Sequence, residues 1–339
     1  MYSLAGPLFI SLDSCLYIGI DEEMMRGFNY KRIIKWIIVV AIFVFLGRMV
    51  WDHWNQVKDA PFTFEVFPLL LSTLIFAFSY FIQISAWYMI TLKLGIALPI
   101  QETLESWFYS QLGKYLPGKV WLLLSRFYSY ESKGKSKKAI SIALYLETVT
   151  MIVAAGLMFL AAIIFFREVR PFYTGRQSMW LVLLFFSGFL SLHPRVLQKI
   201  LNWTLAQFKK EPISLSISYF DILWILLVCI VSWLVGGVGF YLFVDAVYPV
   251  APQYILFLTG ALAISSTLGL IAIFAPSGLG VREGALVYLL SLMMATPIAV
   301  ILSVLTRIWM TLIEIGLIGM VYLFRQLQKR KKRKGHDQV

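Results

Sequence analysis

The chain has 339 residues, of which 60% are hydrophobic, 16% aromatic and only 14% charged, a balance that excludes an ordinary soluble globular domain. The composition predicts an integral membrane protein, whose length is best counted in spans of about 20 residues. The net charge of +12 does not indicate a nucleic-acid partner, because the basic residues concentrate in loops and in the C-terminal tail, as in cytoplasmic membrane flanks.

Residues 1–29 form a predicted N-terminal tail that differs from the rest of the chain. The tail begins without a basic region and becomes acidic before Met24, so it is a poor secretory signal. The basic stretch that begins at Met25 is typical of the start of a polytopic membrane protein. We therefore expect residues 1–24 to be disordered or not translated.

Eight apolar stretches follow, within a predicted transmembrane domain of residues 30–325, and residues 326–339 form a polybasic tail. The stretches cover about 33–51, 66–92, 139–166, 179–193, 222–245, 254–275, 284–297 and 299–325. Several are marginal for a bilayer core of about 30 Å, the seventh most of all. The predicted fold is an all-α polytopic membrane protein with about eight transmembrane helices.

Lys and Arg residues set the predicted orientation. They cluster before the first span, between the second and third, between the fourth and fifth, and in the tail. With an even number of spans all these regions face one side, so both termini are predicted to be cytoplasmic in a cell (inner) membrane. The loop with Arg167, Arg170 and Arg176 departs from this trend.

Two further stretches, 102–116 and 195–210, have apolar residues at helical spacing but are too polar to span a bilayer. Each is predicted to lie in the membrane interface as an amphipathic helix, or to enter the bilayer and return.

Two Pro- and Gly-containing turns interrupt the apolar pattern, in "GKYLPGKVWLLL" (113–124) and "IFAPSGLGVREG" (273–284). Pro removes a backbone donor and Gly destabilises a helix interior, so both turns free polar backbone groups. Such groups are costly in hydrocarbon unless protein or a hydrated cavity surrounds them. Free N–H groups at the start of a half-helix, helped by basic side chains, attract an anion such as a phosphate.

The turns therefore predict a hydrated cavity that binds a charged headgroup. The candidate binding residues are Lys114, Pro117, Gly118, Lys119, Arg126, Pro276, Gly278, Gly280, Arg282 and Glu283. The alternative for the second turn is a cytoplasmic loop capped by Gly, in which Arg282 and Glu283 are solvated or paired with each other.

The two turns also indicate a weak internal repeat. Each is followed by an apolar run and then by a long span with one ionisable residue near its middle. When Gly118 is aligned with Gly278, Glu147 aligns with Arg307. Gly- or Pro-interrupted segments at matching positions of two repeats are typical of a transporter's substrate site.

Glu147, Arg307 and Glu314 lie within predicted spans, where an unpaired charge costs at least about 2.5–3.5 kcal/mol. Arg307 and Glu314 are seven residues apart and are predicted to share one helix face. The repeat predicts a contact between Glu147 and Arg307. These charges either lock helices together as ion pairs or gate the passage of a substrate, and both interpretations stay open.

No cofactor, metal or catalytic site is predicted. "GKYLPGKV" (113–120) fits a P-loop except that Val120 replaces the magnesium-binding Ser or Thr, and no strand-like segment precedes it. His53, His193 and His336 have no metal-ligand spacing and allow no Ser-His-Asp set.

Three motifs resemble the flippase-like family, also called the lysylphosphatidylglycerol synthase transmembrane region. They are "SQLGKYLPGKVWLLLSRF" (110–127), "PSGLGVREGAL" (276–286) and "LTRIWMTLIEIGLIG" (305–319), and the resemblance covers about residues 30–325. It implies a bacterial or archaeal polytopic protein that moves lipids or lipid-linked sugars between leaflets. By motif position it implies roles for Pro117, Gly118, Lys119, Pro276, Gly278, Gly280, Arg282, Glu283 and Arg307. One departure is Thr148, which follows Glu147 where the family often has Arg.

The resulting expectation is a membrane translocase for an anionic lipid or a polyprenyl-phosphate-linked sugar, with the headgroup near Lys119, Arg126 and Arg282. The family's aminoacyl-lipid synthases carry a soluble catalytic domain after the membrane part, whereas this sequence stops shortly after its last span. We therefore do not expect it to perform aminoacyl transfer alone.

Two alternatives stay open. One is a membrane enzyme or accessory subunit in the modification of lipids or lipid-linked glycans, with Glu147, Glu283 and Glu314 as acid–base candidates. The other is a scaffold for a glycosyltransferase or lipid-modifying enzyme.

Overall fold

The computed structural model describes residues 62–115, 120–165, 192–207, 217–272, 275 and 278–336, together with the single helical positions 44, 48, 51, 183 and 190. These residues contain no β-strand. Their α-helices are α1 (Val66–Lys93), α2 (Ile100–Leu112), α3 (Val120–Glu131), α4 (Lys137–Phe165), α5 (Pro194–Gln207), α6 (Tyr219–Val247), α7 (Ile255–Ile271), α8 (Val281–Leu290) and α9 (Thr296–His336). Short 3₁₀ turns at Gly113–Tyr115 and Pro252–Tyr254 follow α2 and precede α7.

Five segments of the described chain are long and apolar enough to cross a membrane, at 66–93, 137–165, 219–247, 252–271 and 296–328. They match the second, third, fifth, sixth and eighth predicted spans, although the sixth, α7, is the first arm of a hairpin because α8 packs back against it. The first and fourth predicted spans lie outside the described residues, apart from single positions and the turn at 192–193. The seventh prediction, 284–297, is wrong as a span. Its helix, α8, has ten residues and rises about 15 Å, half of a bilayer core.

Contacts at the helix ends define two sides of the bundle, called here side A and side B. At side A, the N–H of Thr63, just before α1, donates to the carbonyl of Val247 at the end of α6 (2.9 Å). At side B, Lys93 at the end of α1 pairs with Asp221 in the first turn of α6 (Nζ–Oδ1 2.8 Å). These two helices are therefore antiparallel and equally long in the membrane direction.

A re-entrant hairpin, the α2–α3 hairpin (residues 100–131), enters from side B. Lys133, just after α3, forms an ion pair with Glu102 in the first turn of α2, so both open ends lie together. At the inner end a Cβ on Gly113 would lie 2.6 Å from the backbone nitrogen of Leu122. Only Gly allows the chain to reverse so closely. The prediction that 102–116 enters and returns agrees with this arrangement.

A second re-entrant hairpin, the α7–α8 hairpin (residues 255–290), enters from side A. The short connection that follows α6 leads into α7, and α8 runs back antiparallel to α9, since Ser303 Oγ donates to the carbonyl of Glu283 (3.2 Å). Gly278 has a φ of +70°, and a Cβ there would lie 2.7 Å from the Cα of Gly269. The turn can therefore press against α7 because both positions are Gly.

The two hairpins give the predicted internal repeat an inverted arrangement. The α2–α3 hairpin enters from side B and is followed by α4, which runs from side B to side A. The α7–α8 hairpin enters from side A and is followed by α9, which runs from side A to side B. Inverted repeats with interrupted helices occur in many membrane transporters.

The predicted amphipathic segment 195–210 forms helix α5 as far as Gln207. Leu197 is buried against the rest of the protein, whereas Trp203 and the basic Arg195 and Lys199 are exposed. An apolar anchor beside exposed basic residues is typical of a helix at a membrane interface.

Candidate functional site

A cavity of about 600 Å³ is lined by residues from both hairpins. Its walls come from residues 76–83 of α1, 147–152 of α4, 232–236 of α6 and 307–314 of α9, all near the middle of these long helices. Both hairpins also contribute to the lining, with Lys114 and Arg126 from the α2–α3 hairpin and Gly269 and Arg282 from the α7–α8 hairpin among the residues that they supply. The cavity is therefore at mid-depth in the bundle.

Most of the predicted site residues that the structure describes come together here. The charged lining residues are Lys114, Arg126, Glu147, Arg282, Arg307 and Glu314. Gly278, Gly280 and Glu283 lie in the adjoining turn and first turn of α8. Pro117, Gly118, Lys119 and Pro276 lie outside the described residues, so the structure says nothing about their predicted roles.

Arg126 is only 1% exposed, and each of its three guanidinium nitrogens has a partner. Its Nη1 pairs with Glu147 Oε2 (2.5 Å), and its Nε and Nη2 donate to Ser110 Oγ (3.2 and 3.1 Å). The rings of Trp87 and Trp107 lie against it, with centroids 4.7 and 5.4 Å from Cζ. The Arg126 cage, formed by these four partners, fixes α3 to α1, α2 and α4.

This arrangement corrects one prediction. The repeat alignment predicted a contact between Glu147 and Arg307, but Glu147 pairs with Arg126, from the hairpin of its own half. Trp107 Nε1 also donates to Glu147 Oε1 (3.3 Å). Arg307 pairs instead with Glu283, at 3.5 Å between Nη1 and Oε1.

Glu283 connects the turn of the α7–α8 hairpin to α9. Its Oε2 accepts a hydrogen bond from the N–H of Gly280 (2.7 Å), whose φ is +84°. The side chain is almost fully buried, and the ion pair with Arg307 offsets its charge. The predicted alternative, in which Glu283 pairs with Arg282 in a solvated loop, does not fit this geometry.

Glu314 connects α9 to the tip of the other hairpin. Its Oε1 accepts a hydrogen bond from the hydroxyl of Tyr80 (2.5 Å) and forms an ion pair with Lys114. As predicted from their spacing, Arg307 and Glu314 share the helix face that lines the cavity.

Arg282 differs from the other cations of the cavity because it forms no ion pair with any carboxylate in the described part of the chain. Its Nη2 contacts the sulfur of Met310. Its side chain passes over Gly269, where a Cβ would lie 2.8 Å from the Cβ of Arg282. Arg282 also belongs to the first turn of α8, whose positive dipole end therefore lies beside the cavity.

Several residues of the site were not predicted from the sequence. They are Tyr80, Trp87, Trp107, Ser110, Gly113, Gly269 and Met310. Trp107 belonged to the predicted amphipathic pattern, and Ser110, Gly113 and Met310 lie within the motifs quoted above without having been singled out. Tyr80, Trp87 and Gly269 had no local signal, because they lie in apolar runs and owe their role to a tertiary contact.

The fold and the cavity define a class of protein, a multi-pass α-helical membrane protein with two opposed re-entrant hairpins around a charged site at mid-depth. The family described as Lysylphosphatidylglycerol synthase TM region matches residues 33–319, and the chain belongs to this family. The family predicted from the motifs is thereby confirmed, and it makes the chain a membrane protein of lipid modification or transport. No curated protein and no solved structure matches the chain.

Proposed function

We propose that this protein is a translocase that moves an anionic lipid, or a polyprenyl-phosphate-linked sugar, between the two leaflets. The headgroup binds in the cavity with its phosphate at Arg282, and the acyl or prenyl tail stays in the bilayer.

The observation that carries this proposal is the difference between Arg282 and the other three cations of the cavity. Lys114, Arg126 and Arg307 each form an ion pair with a carboxylate, whereas Arg282 forms none among the described residues, although Glu283 and Glu314 are near enough to attract it. A charge at membrane depth costs at least about 2.5–3.5 kcal/mol unless it is paired. A phosphate in the cavity supplies the missing partner, and Arg binds phosphate well through its planar set of donors.

The shape and the edge of the cavity suit a lipid. A volume of about 600 Å³ falls within the range of ligand pockets, roughly 300–1,000 Å³. Hydroxyl groups of Ser79, Ser232 and Thr148 line it; each donates to a backbone carbonyl, so its oxygen can accept a hydrogen bond from a headgroup donor. At its edge Leu270 and Ile271 are 44% and 54% exposed, which leaves an apolar path for a tail.

The inverted hairpins suit alternating access. In transporters with inverted repeats, one half rocks against the other around a binding site at the midplane. Here two ion pairs, Lys114–Glu314 and Arg307–Glu283, join the hairpin tips to α9. Exchange of these contacts would open the cavity toward one side and close it toward the other.

The alternative of a membrane enzyme requires a free carboxylate for proton transfer to a substrate. Glu147, Glu283 and Glu314 are each paired with a cation, and the described residues contain no group of three or more His, Cys, Asp or Glu side chains that could hold a metal ion. These observations favour transport over chemistry at this site.

The test compares wild-type protein with Arg282→Gln and with Lys138→Gln, which removes the same charge from an exposed position on side B. Each is reconstituted into phosphatidylcholine vesicles that contain a fluorescent analogue of phosphatidylglycerol, or of whichever lipid mass spectrometry detects in an extract of the purified protein. Bleaching with dithionite measures how fast the labelled headgroup changes leaflet.

We expect wild type and Lys138→Gln to translocate equally, and Arg282→Gln to lose at least about tenfold in rate. Equal rates for wild type and Arg282→Gln would overturn the site. A lipid product of altered mass would favour the enzyme alternative, and activity only with a co-purified glycosyltransferase would favour the scaffold.

A further inference from the structure

Two glutamines line the cavity without using their side-chain amides inside the protein. Gln111 of α2 is 8% exposed and Gln83 of α1 is partly buried, and neither side chain forms a hydrogen bond with any residue that the structure describes. Trp107, Gln111 and Lys114 share one face of α2 and all line the cavity, so this face is turned toward it. A buried amide is costly without a partner, so Gln111 is suited to bind a polar group of a ligand.

The two glutamines belong to the same part of the cavity. Gln83 lies about one turn beyond Tyr80 in α1, and Gln111 lies about one turn beyond Trp107 in α2. The rings of Tyr80 and Trp107 are in contact, with 5.8 Å between their centroids. A ligand that reaches one of the two amides is therefore also close to the other.

This part of the cavity lies toward side B, whereas Arg282 lies toward side A. Gln83 is the lining residue of α1 nearest side B, and α2 enters from that side. Arg282 is in the first turn of α8, which runs from the inner end of its hairpin back toward side A. A headgroup whose phosphate is at Arg282 therefore extends toward Gln83 and Gln111, and about 600 Å³ leaves room for more than a phosphate.

The chemistry of this region matches neutral hydroxyl groups. A side-chain amide both donates and accepts hydrogen bonds, as a hydroxyl group does, whereas an ammonium group only donates. The carboxylates nearby already form ion pairs, Glu147 with Arg126 and Glu314 with Lys114. The region therefore offers neutral donors and acceptors for a group beyond the phosphate.

We propose that Gln83 and Gln111 form a hydroxyl subsite, which selects lipids whose phosphate carries a neutral group with neighbouring hydroxyls, such as glycerol or a sugar. The phosphate binds Arg282, the tail leaves past Leu270 and Ile271, and the hydroxyls exchange hydrogen bonds with the two amides. This inference rests on the proposed function, since it requires the phosphate at Arg282, and it adds the contacts that distinguish one anionic lipid from another.

The test compares two lipids that differ only in these hydroxyls. Phosphatidylglycerol and phosphatidylpropanol have the same charge and the same number of headgroup carbons, but the propanol headgroup has no free hydroxyl. Both are labelled on an acyl chain and added to phosphatidylcholine vesicles that contain the full chain, and dithionite bleaching gives the rates. The variants are Gln111→Leu and Gln83→Leu, and the matched control is Gln101→Leu, which lies in the first turn of α2 outside the cavity lining.

We expect wild type and Gln101→Leu to translocate phosphatidylglycerol at least about tenfold faster than phosphatidylpropanol, because the second lipid leaves buried amides without partners. In Gln111→Leu this ratio should fall to about twofold or less, mainly because phosphatidylglycerol becomes slower. Gln83→Leu should lower the ratio by a smaller factor, since Gln83 is more exposed. Each ratio is measured within one variant, so it does not depend on how much of that variant folds.

A second pair of lipids distinguishes glycerol from sugar. It consists of a labelled prenyl phosphate hexose and the methyl ester of the same prenyl phosphate, which keeps the charge and lacks the hydroxyls. A preference within this pair alone supports a subsite for a sugar, a preference within the first pair alone supports one for glycerol, and a preference within both supports a subsite for either.

The remaining outcomes separate this inference from the proposed function. If wild type shows no preference within either pair, while Arg282→Gln still slows translocation, the hydroxyl subsite is wrong and the translocase stands. An equal loss with both lipids in Gln111→Leu, including a complete loss, means that Gln111 is structural and also overturns the subsite. If wild type moves none of these lipids, or Arg282→Gln moves them as fast as wild type, the proposed function fails and the subsite fails with it.

Discussion

The α2–α3 and α7–α8 hairpins resemble each other in geometry but differ in what their arginines do. Both reverse at mid-depth beside a Gly with no room for a Cβ, and both place an Arg in the wall of the cavity. Arg126 in the first hairpin is enclosed by Ser110, Glu147 and two Trp rings. Arg282 in the second has no carboxylate partner in the described residues.

The two arginines therefore suit different roles: one holds its hairpin rigidly, and the other suits recognition of a ligand. The Arg126 cage holds one hairpin in place through contacts with α1, α2 and α4, so its guanidinium has little capacity left for a ligand. That both arginines bind substrate stays a prediction. Under the proposed function Arg126 positions its hairpin and Arg282 receives the phosphate, so the two halves of the inverted repeat would not share substrate binding equally.

The largest effect should come from breaking the Arg126 cage. Arg126→Gln leaves Glu147 buried without its cation, which costs about 3–5 kcal/mol in the free energy of unfolding. Arg282→Gln removes an unpaired cation and should change stability by less than about 1 kcal/mol. Titration of both variants with SDS in mixed micelles, followed by tryptophan fluorescence, measures these differences.

The control for this comparison is the double variant Arg126→Gln with Glu147→Gln, which should recover part of the lost stability because no uncompensated charge remains. If Arg282→Gln lowered the free energy of unfolding as much as Arg126→Gln does, this result would contradict the distinction between the two hairpins.

An intermediate effect is expected at the turn of the α7–α8 hairpin. Gly278→Ala places a Cβ 2.7 Å from the backbone of Gly269 at a φ of +70°, whereas Gly95→Ala meets open space at a φ of +68°. The backbone conformation alone costs about 1–2 kcal/mol at either position. Only Gly278→Ala must also displace α7, so its loss of stability should be clearly larger, and translocation should fall with it.

The same SDS titration and the dithionite assay measure both variants. Equal losses at the two glycines would mean that the close approach of the turn to Gly269 is not needed, and that α7 and α8 can separate at little cost.

The class of fold and much of the site could be predicted from the sequence, because their signals are local. The predicted turns 113–124 and 273–284 include Gly113 and Gly278, which lie at the inner ends of the two hairpins, and the charges Lys114, Arg282 and Glu314 stood out against an apolar background. The span predicted at 284–297 failed because apolar composition does not distinguish a half-helix from a full one when the chain turns soon after Leu290.

The partners of these charges could not be predicted, because they depend on tertiary contacts. Aligning the repeats identifies equivalent positions, and Glu147 and Arg307 do both line the cavity. Equivalent residues of the two repeats line the cavity from opposite sides, however, and need not contact each other. The partner of Glu147 is Arg126, which lies 21 residues earlier in the chain. Tyr80 and Trp87 lie in a helix that is apolar on all sides, where periodicity carries no information.

The smallest effect is expected at the open end of the α2–α3 hairpin. Lys133 and Glu102 form an ion pair there, but their side chains are 35% and 40% exposed. An exposed pair contributes about 0.2–1 kcal/mol and is screened by salt. A double-mutant cycle of Glu102→Gln and Lys133→Gln, measured by SDS titration at low and high salt, should give a small coupling that disappears at high salt.

The Lys114–Glu314 pair at the tip is sheltered from solvent, so its coupling should persist at high salt. If both couplings vanish equally with salt, the cavity is as open to ions as the membrane surface, and α9 would not need the tip pair to hold the hairpin in place.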